Sequence, residues 1–137
     1  MKATTTFALA VAGAVLISTQ QAGAHHSFAA EFDANSPIEL TGTVTKVEWA
    51  NPHTFFYIDV SESTGKVDNW ALELGSPNGL MRRGWTRNSM KIGDTVTVAG
   101  WRAKDGSLKG NARSVMLPGG EKLFAGSSND AANEKTD

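Results

Sequence analysis

Five short segments rich in β-branched and aromatic residues constrain the fold of this chain more than any other feature. Runs of four to eight such residues, with apolar and polar positions alternating, are typical of strands that bury one face. Clusters of Gly, Pro, Asn and Asp separate the segments and mark the turns between them. We therefore predict strands over Ile38–Ala50, Thr54–Val60, Val67–Leu74, Thr95–Ala103 and Leu108–Pro118.

The periodicity changes between the third and fourth strands. Ser76 can cap a helix, Pro77 suits its first turn, and Gly84 can end it, which predicts a helix of two turns at most. Three strands, a short helix and two strands follow the element order of the oligonucleotide/oligosaccharide-binding (OB) barrel. A two-sheet sandwich is the competing architecture, but it usually needs about seven strands. We predict an all-β protein, a small five-stranded OB-like barrel with one short helix between strands 3 and 4.

The N-terminal residues are typical of a secretory signal. Lys2 precedes the apolar stretch Phe7–Ile17, and Ala22 and Ala24 form an A-x-A cleavage site. The apolar stretch is too short to span a bilayer, which needs about 20 residues, so a retained membrane anchor is the weaker alternative. We expect export to the periplasm or the medium. The predicted organisation is a signal peptide at 1–24, an N-terminal arm at 25–37, a barrel domain at 38–125 and a disordered tail at 126–137.

Composition excludes several classes of function. The chain has no cysteine, which excludes disulfide bonds, thiolate metal sites and thiol catalysis. It has 13 Lys and Arg against 14 Asp and Glu, with no basic run. This balance argues against nucleic acid or an anionic membrane surface as a partner.

The three histidines of the chain are His25, His26 and His53, and they suggest a metal site. Cleavage after Ala24 would make His25 the first residue, and its free α-amine and imidazole could chelate one ion. The imidazole of His53, in the stiff turn after Pro52, could supply a third nitrogen. Planar nitrogen ligation suits Cu(II) above other common divalent ions. We therefore predict copper bound by His25 and His53, with His26 as a spare ligand, in a carrier or a metal buffer.

Other interpretations of these histidines remain open. The His-His pair could be a solvated tail, and His53 could simply donate a hydrogen bond within its loop. Cleavage after Ala29 would remove both N-terminal histidines. If the metal site exists, Glu31 and Asp33 could add an axial or outer oxygen.

A second candidate function is a non-enzymatic binding module. In it, Trp85 and the nearby Arg82, Arg83 and Arg87 would line a barrel groove for a small anionic ligand or a periplasmic protein partner. The simpler interpretation of these arginines is a solvated helix face. Enzymatic activity is not predicted, because the sequence has no Ser-His-Asp order, phosphate-binding loop or metalloprotease motif.

Four segments resemble an uncharacterised family of small secreted bacterial proteins, known only as a domain of unknown function: AHHSFAAEFD, VEWANPHTFFYIDV, WALELGSPNGLMRRGW and GDTVTVAG. The resemblance runs from His25 to about Leu123. It implies export and a small β-domain, and it implies no activity, substrate or catalytic residue. A first-residue histidine also resembles the histidine brace of copper chaperones and oxidative polysaccharide enzymes, but the remaining sequence resembles neither.

Overall fold

A computed structural model describes residues 28–126 of the chain. The predicted signal peptide, His25, His26 and residues 127–137 of the predicted tail lie outside this range. No helix in residues 28–126 is long and apolar enough to cross a membrane. A helical turn at 28–31 leads directly into the first strand. The elements that follow are β1 (Phe32–Glu48), β2 (Phe55–Ser61), β3 (Val67–Glu73), α1 (Pro77–Met81), β4 (Thr95–Ala103), β5 (Lys109–Met116) and β6 (Lys122–Phe124).

The strands form one sheet that closes on itself. Its order is β3-β2-β1-β4-β5-β6, and an additional pairing of β3 with β5 joins five of the strands into a hydrogen-bonded ring. This closing pair is parallel, whereas the other pairs are antiparallel. The 17-residue β1 pairs with β4 along its N-terminal part and with β2 along its C-terminal part. A Cβ at Gly42 would lie 2.5 Å from the carbonyl oxygen of Asp59, so this crossing of β1 and β2 requires glycine.

The ring encloses one hydrophobic core. Phe56 and Ile58 alternate with outward residues on β2, and Leu72 faces them from β3. Each large side chain buried here contributes about 1.5–3 kcal/mol relative to exposure. The helix begins where Ser76 and proline predict it, since Ser76 Oγ accepts a hydrogen bond from the Gly79 N–H at 3.2 Å. The helix and the loop after it add three side chains to the core: Leu80, Trp85 and Met90.

The structure has six strands in residues 28–126, where the sequence predicts five. The additional strand, β6, is three residues long and pairs antiparallel with the end of β5. A strand this short shows no alternation that periodicity could reveal. Its Leu123 is buried in the core, so the last part of the predicted domain is held by both hydrogen bonds and packing.

The first strand begins at Phe32, within the predicted arm at 25–37, and not at Ile38. Phe32 pairs with Ala103 on β4 and is 2% exposed. The register then shifts before Pro37, where Asp33 accepts hydrogen bonds from the Asn35 N–H and the Ser36 hydroxyl. This local turn interrupts the apolar pattern of the strand, which is why the sequence indicates a loop there.

Candidate functional site around His53

His53 lies in the loop that enters β2, and its imidazole is held in a defined orientation. The backbone of the next residue, Thr54, donates to Gly75 O at 3.0 Å and accepts from the Leu74 N–H at 2.8 Å. His53 Nδ1 lies 2.8 Å from Glu73 Oε1, the distance of an N–H that donates to a carboxylate. When the imidazole is neutral, this contact engages Nδ1–H and leaves the lone pair on Nε2. The side chain is 37% exposed.

Glu73 is the buried acid of the site. It ends β3 with only 8% of its surface exposed. Burial raises the pKa of its carboxyl above the ordinary value, as does the nearby carboxylate of Glu31, while the charges of His53 and Lys109 act in the opposite direction. An ionised carboxylate in this position depends on the donors around it, and His53 is the nearest of them.

Lys109 connects Glu73 to the N-terminal end of the described chain. Its Nζ forms an ion pair with Glu31 and lies 3.9 Å from Glu73 Oε2. The same Nζ lies 5.6 Å from the ring centroid of Phe32 and 5.5 Å from that of Phe55. These distances are those of cation–π contacts, so two carboxylates and two rings fix the ammonium group.

A second aromatic cluster, outside the ring of strands, anchors the segment that precedes β1. Phe28 packs 5.7 Å from the Phe32 ring and 5.5 Å from the Trp101 ring, edge-on to the latter. Phe32 is buried, but it does not belong to the main core cluster. The Lys104 N–H donates to Glu31 O at 2.9 Å, and Lys104 Nζ donates to Ala29 O. The segment 28–32 is thus fixed beside Lys109.

Asn111 adds an unpaired acceptor to the same face of the sheet. It is the register partner of Glu73 across the parallel β3–β5 pairing, and it is 8% exposed. Its Oδ1 is buried and has no hydrogen-bond partner among the described residues. A buried oxygen of this kind has unused capacity for a donor or a cation.

Of the predicted metal ligands, only His53 lies in residues 28–126. His25 and His26 precede them, and no group of three or more His, Asp or Glu side chains in residues 28–126 is arranged to hold a metal ion. Glu31 is connected to the site by its ion pair with Lys109. Asp33, the other predicted oxygen donor, is occupied by the turn at Asn35 and Ser36.

Sequence reasoning missed Glu73 and Lys109 as site residues. From the sequence alone, Glu73 can be placed beside another charged side chain only by assuming a strand register, and nothing in the sequence singles out Lys109. Their proximity depends on the parallel pairing of β3 with β5, which places Ala71 opposite Lys109 and Glu73 opposite Asn111. No local signal in the sequence indicates that pairing.

Trp85, the central residue of the second candidate function, is largely buried. It is 3% exposed, and its indole N–H donates to Phe124 O at 2.8 Å. The cavity beside it is about 10 Å³, room for one water molecule and no larger ligand. The core and a backbone carbonyl already use the ring and the N–H of Trp85, and its predicted role in a ligand groove stays a prediction.

The chain belongs to a family of unknown function, DUF6152, whose model matches residues 12–112. A comparison with curated proteins gives no significant match. Among solved structures, the chain is similar to the dimeric N-terminal domain of the PriB protein from Thermoanaerobacter tencongensis. The two are 21% identical with a TM-score of 0.42, and the match covers 61% of this chain and 96% of that one.

Proposed function

We propose that this protein is an exported Cu(II)-binding protein, a carrier or buffer, in which the α-amine and imidazole of His25 and the imidazole of His53 hold the ion. His26 is a spare ligand. The proposal includes removal of residues 1–24 by signal cleavage and an OB-like barrel as the scaffold. The observation that carries it is the pairing of His53 with Glu73 next to an anchored N-terminal segment.

The orientation of His53 suits a metal ligand. Histidines that bind metals almost always donate their other ring N–H to a carboxylate or carbonyl, which fixes the tautomer and increases the basicity of the ligating nitrogen. Glu73 supplies that carboxylate at 2.8 Å, and the His53 side chain is 37% exposed.

The anchoring of residues 28–32 supports the convergence of His25 with His53. Glu31 contacts Lys109, which lies 3.9 Å from Glu73, the partner of His53. Glu31 follows His25 by six positions, with five residues between them. Residues 28–31 form a helical turn, so only the three positions from Phe28 back to His25 add to the reach of the amine, at most roughly 10 Å.

The charges around the site favour a cation. Two carboxylates, Glu31 and Glu73, accompany one ammonium group, Lys109. With neutral histidines this cluster carries one net negative charge, and the unpaired Oδ1 of Asn111 lies on the same face. An α-amine ordinarily titrates near 8, so the ion must displace a proton from it at neutral pH.

The element order supports the barrel scaffold. Five strands close into a ring, and α1 lies between β3 and β4 in the chain. A closed ring of this kind leaves loop residues such as His53 on a rigid support, which reduces the entropy lost on binding.

The test is a Cu(II) titration of the chain that begins at His25, followed by calorimetry and electron paramagnetic resonance. We expect one Cu(II) per chain, bound more weakly as pH falls because protons compete for the nitrogens. Addition of one Gly before His25 should weaken binding by more than about tenfold. The α-amine then belongs to the added glycine, so it no longer forms a chelate ring with the His25 imidazole. His53→Ala should weaken binding similarly, and His26→Ala should have a smaller effect.

Thermal unfolding without copper is the control, because the Gly extension changes no contact within residues 28–126. Equal Cu(II) affinity in the native and extended forms would refute the proposal. The His-His pair would then be a solvated tail that binds metal ions nonspecifically.

A further inference from the structure

The charges of this protein are separated between the two sides of the strand ring. Residues 28–73, which include β1 to β3, contain eight acidic and two basic side chains. Residues 74–126, which include α1 and β4 to β6, contain nine basic and three acidic side chains. Because the sheet order keeps β3-β2-β1 together and β4-β5-β6 together, this separation along the chain is also a separation in space. The near-zero charge of the whole chain conceals it.

Much of the basic charge lies in residues 76–94, which we call the end segment. It joins β3 to β4 and covers one end of the strand ring, since three of its side chains enter the core. Its ionisable side chains are one acid, Asp94, and four cations: Arg82, Arg83, Arg87 and Lys91. No cation of the end segment forms an ion pair with another residue in 28–126. Asp94 instead accepts a hydrogen bond from the backbone N–H of Lys91 at 2.9 Å. The excess positive charge is therefore available to a partner.

Two large apolar side chains protrude from the same end segment. Met81, the last residue of α1, is 51% exposed, and Ile92 is 73% exposed. Met81 precedes Arg82 in the chain, and Ile92 follows Lys91. Surfaces that bind to anionic bilayers combine basic side chains, which attract the lipid phosphates, with apolar side chains that enter the headgroup region. The end segment has both components.

The shape of the end segment favours a flat partner over one that inserts a side chain. The cavity beside Trp85 and Met90 is about 10 Å³, room for one water molecule. Protein partners gain most of their affinity from a few large side chains that fill well-packed pockets. A cavity of this size cannot receive such a side chain, whereas a lipid surface needs no pocket.

We propose that the end segment docks this protein on an anionic phospholipid surface. Arg82, Arg87 and Lys91, which are all exposed, lie near the lipid phosphates in the docked state. Met81 and Ile92 enter the headgroup region. Each basic side chain at such a surface strengthens partitioning by about fivefold, and salt screens this attraction, so the docking is peripheral and reversible. This inference goes beyond copper binding and does not depend on it.

The test is co-sedimentation of the chain with two kinds of vesicle, phosphatidylcholine alone and phosphatidylcholine mixed with phosphatidylglycerol. The chain is used without residues 1–24, so that the apolar stretch Phe7–Ile17 cannot cause the binding. We expect binding to the vesicles that contain phosphatidylglycerol and little binding to the others. Binding should be lost between about 0.1 M and about 1 M salt, because the Debye length falls from about 10 Å to about 3 Å.

A pair of double variants with the same change in net charge tests the location of the docking surface. Arg82→Gln/Lys91→Gln should weaken binding to anionic vesicles by roughly ten- to thirtyfold, at about fivefold for each cation. Lys46→Gln/Lys66→Gln, which removes two exposed cations from the acidic side of the ring, is the matched control and should have little effect. Ile92→Ser should weaken binding severalfold and leave the melting temperature nearly unchanged, since the side chain is 73% exposed.

Three results would overturn the proposal. The first is equal binding to the two kinds of vesicle, and the second is an equal loss of binding in the two double variants. The third comes from sedimentation equilibrium without vesicles. If the wild type forms oligomers that Arg82→Gln/Lys91→Gln disperses, and does not bind anionic vesicles, then the end segment binds the acidic side of a second copy of this chain and not a lipid surface.

Discussion

The interior of the strand ring and the outer face beside His53 both contain aromatic residues, but they combine them with different partners. Inside, Phe56 packs among aliphatic side chains, and the one polar atom of Trp85 is satisfied by a carbonyl. Outside, Phe32 and Phe55 flank the ammonium of Lys109, which two carboxylates also contact. The interior cluster stabilises the fold by burial, whereas the outer cluster uses aromatic surface to position charges. A burial pattern alone would not separate these two roles.

The largest expected effect comes from two adjacent phenylalanines on opposite faces of β2. Phe56→Ala removes a side chain that is 1% exposed and should lower the free energy of unfolding by about 3–5 kcal/mol, because a cavity remains. Phe55 is half-buried on the outer face, and its alanine variant should lose less than half of that. Urea unfolding measures both. Equal losses would mean that the outer face carries as much of the stability as the core.

Glu73→Gln should change how stability depends on pH. Burial raises the pKa of Glu73 in the folded state, so the folded protein retains a proton that the unfolded chain has lost. Ionised Glu73 therefore opposes folding above its folded-state pKa, and this cost disappears as pH falls through that value towards the ordinary 4.5.

The measurement is urea unfolding of both proteins from pH 7 down to pH 4. The stability of the wild type relative to Glu73→Gln should increase as pH falls and then level off. The variant has every other titrating group of the wild type, so the difference between the two proteins isolates the effect of Glu73. If the difference in unfolding free energy between the two proteins stays constant with pH, or shrinks on acidification, Glu73 is not an acid whose pKa is raised in the folded state.

The smallest effect is expected from Glu31→Gln, which removes the ion pair with Lys109 but keeps the shape of the side chain. Both partners are partly exposed, so the free energy of unfolding should fall by no more than about 1 kcal/mol. Glu39→Gln, which changes an exposed acid on β1, is the matched control. A loss of several kcal/mol in the free energy of unfolding would mean that Glu31 stabilises the fold strongly. The interior and the outer face would then not differ in the way described above.

Local patterns predicted most of the secondary structure. The fourth strand has its predicted bounds, Thr95–Ala103, and the second and third strands differ from theirs by one residue at some ends. The helix follows the Ser76-Pro77 signal. These features succeed because side-chain periodicity, capping and turn chemistry involve only neighbouring residues.

The sequence by itself determined an all-β chain with one short helix, a core drawn from its alternating apolar positions and His53 as the histidine in a turn. Tertiary structure alone decided the ring closure through β3 and β5, the burial of Phe32 outside the main core and the pairing of His53 with Glu73. Tertiary structure also buries Trp85. The physical reason is distance along the chain. His53, Glu73 and Lys109 belong to different strands or their loops, and their side chains meet only when non-local backbone hydrogen bonds bring those strands together.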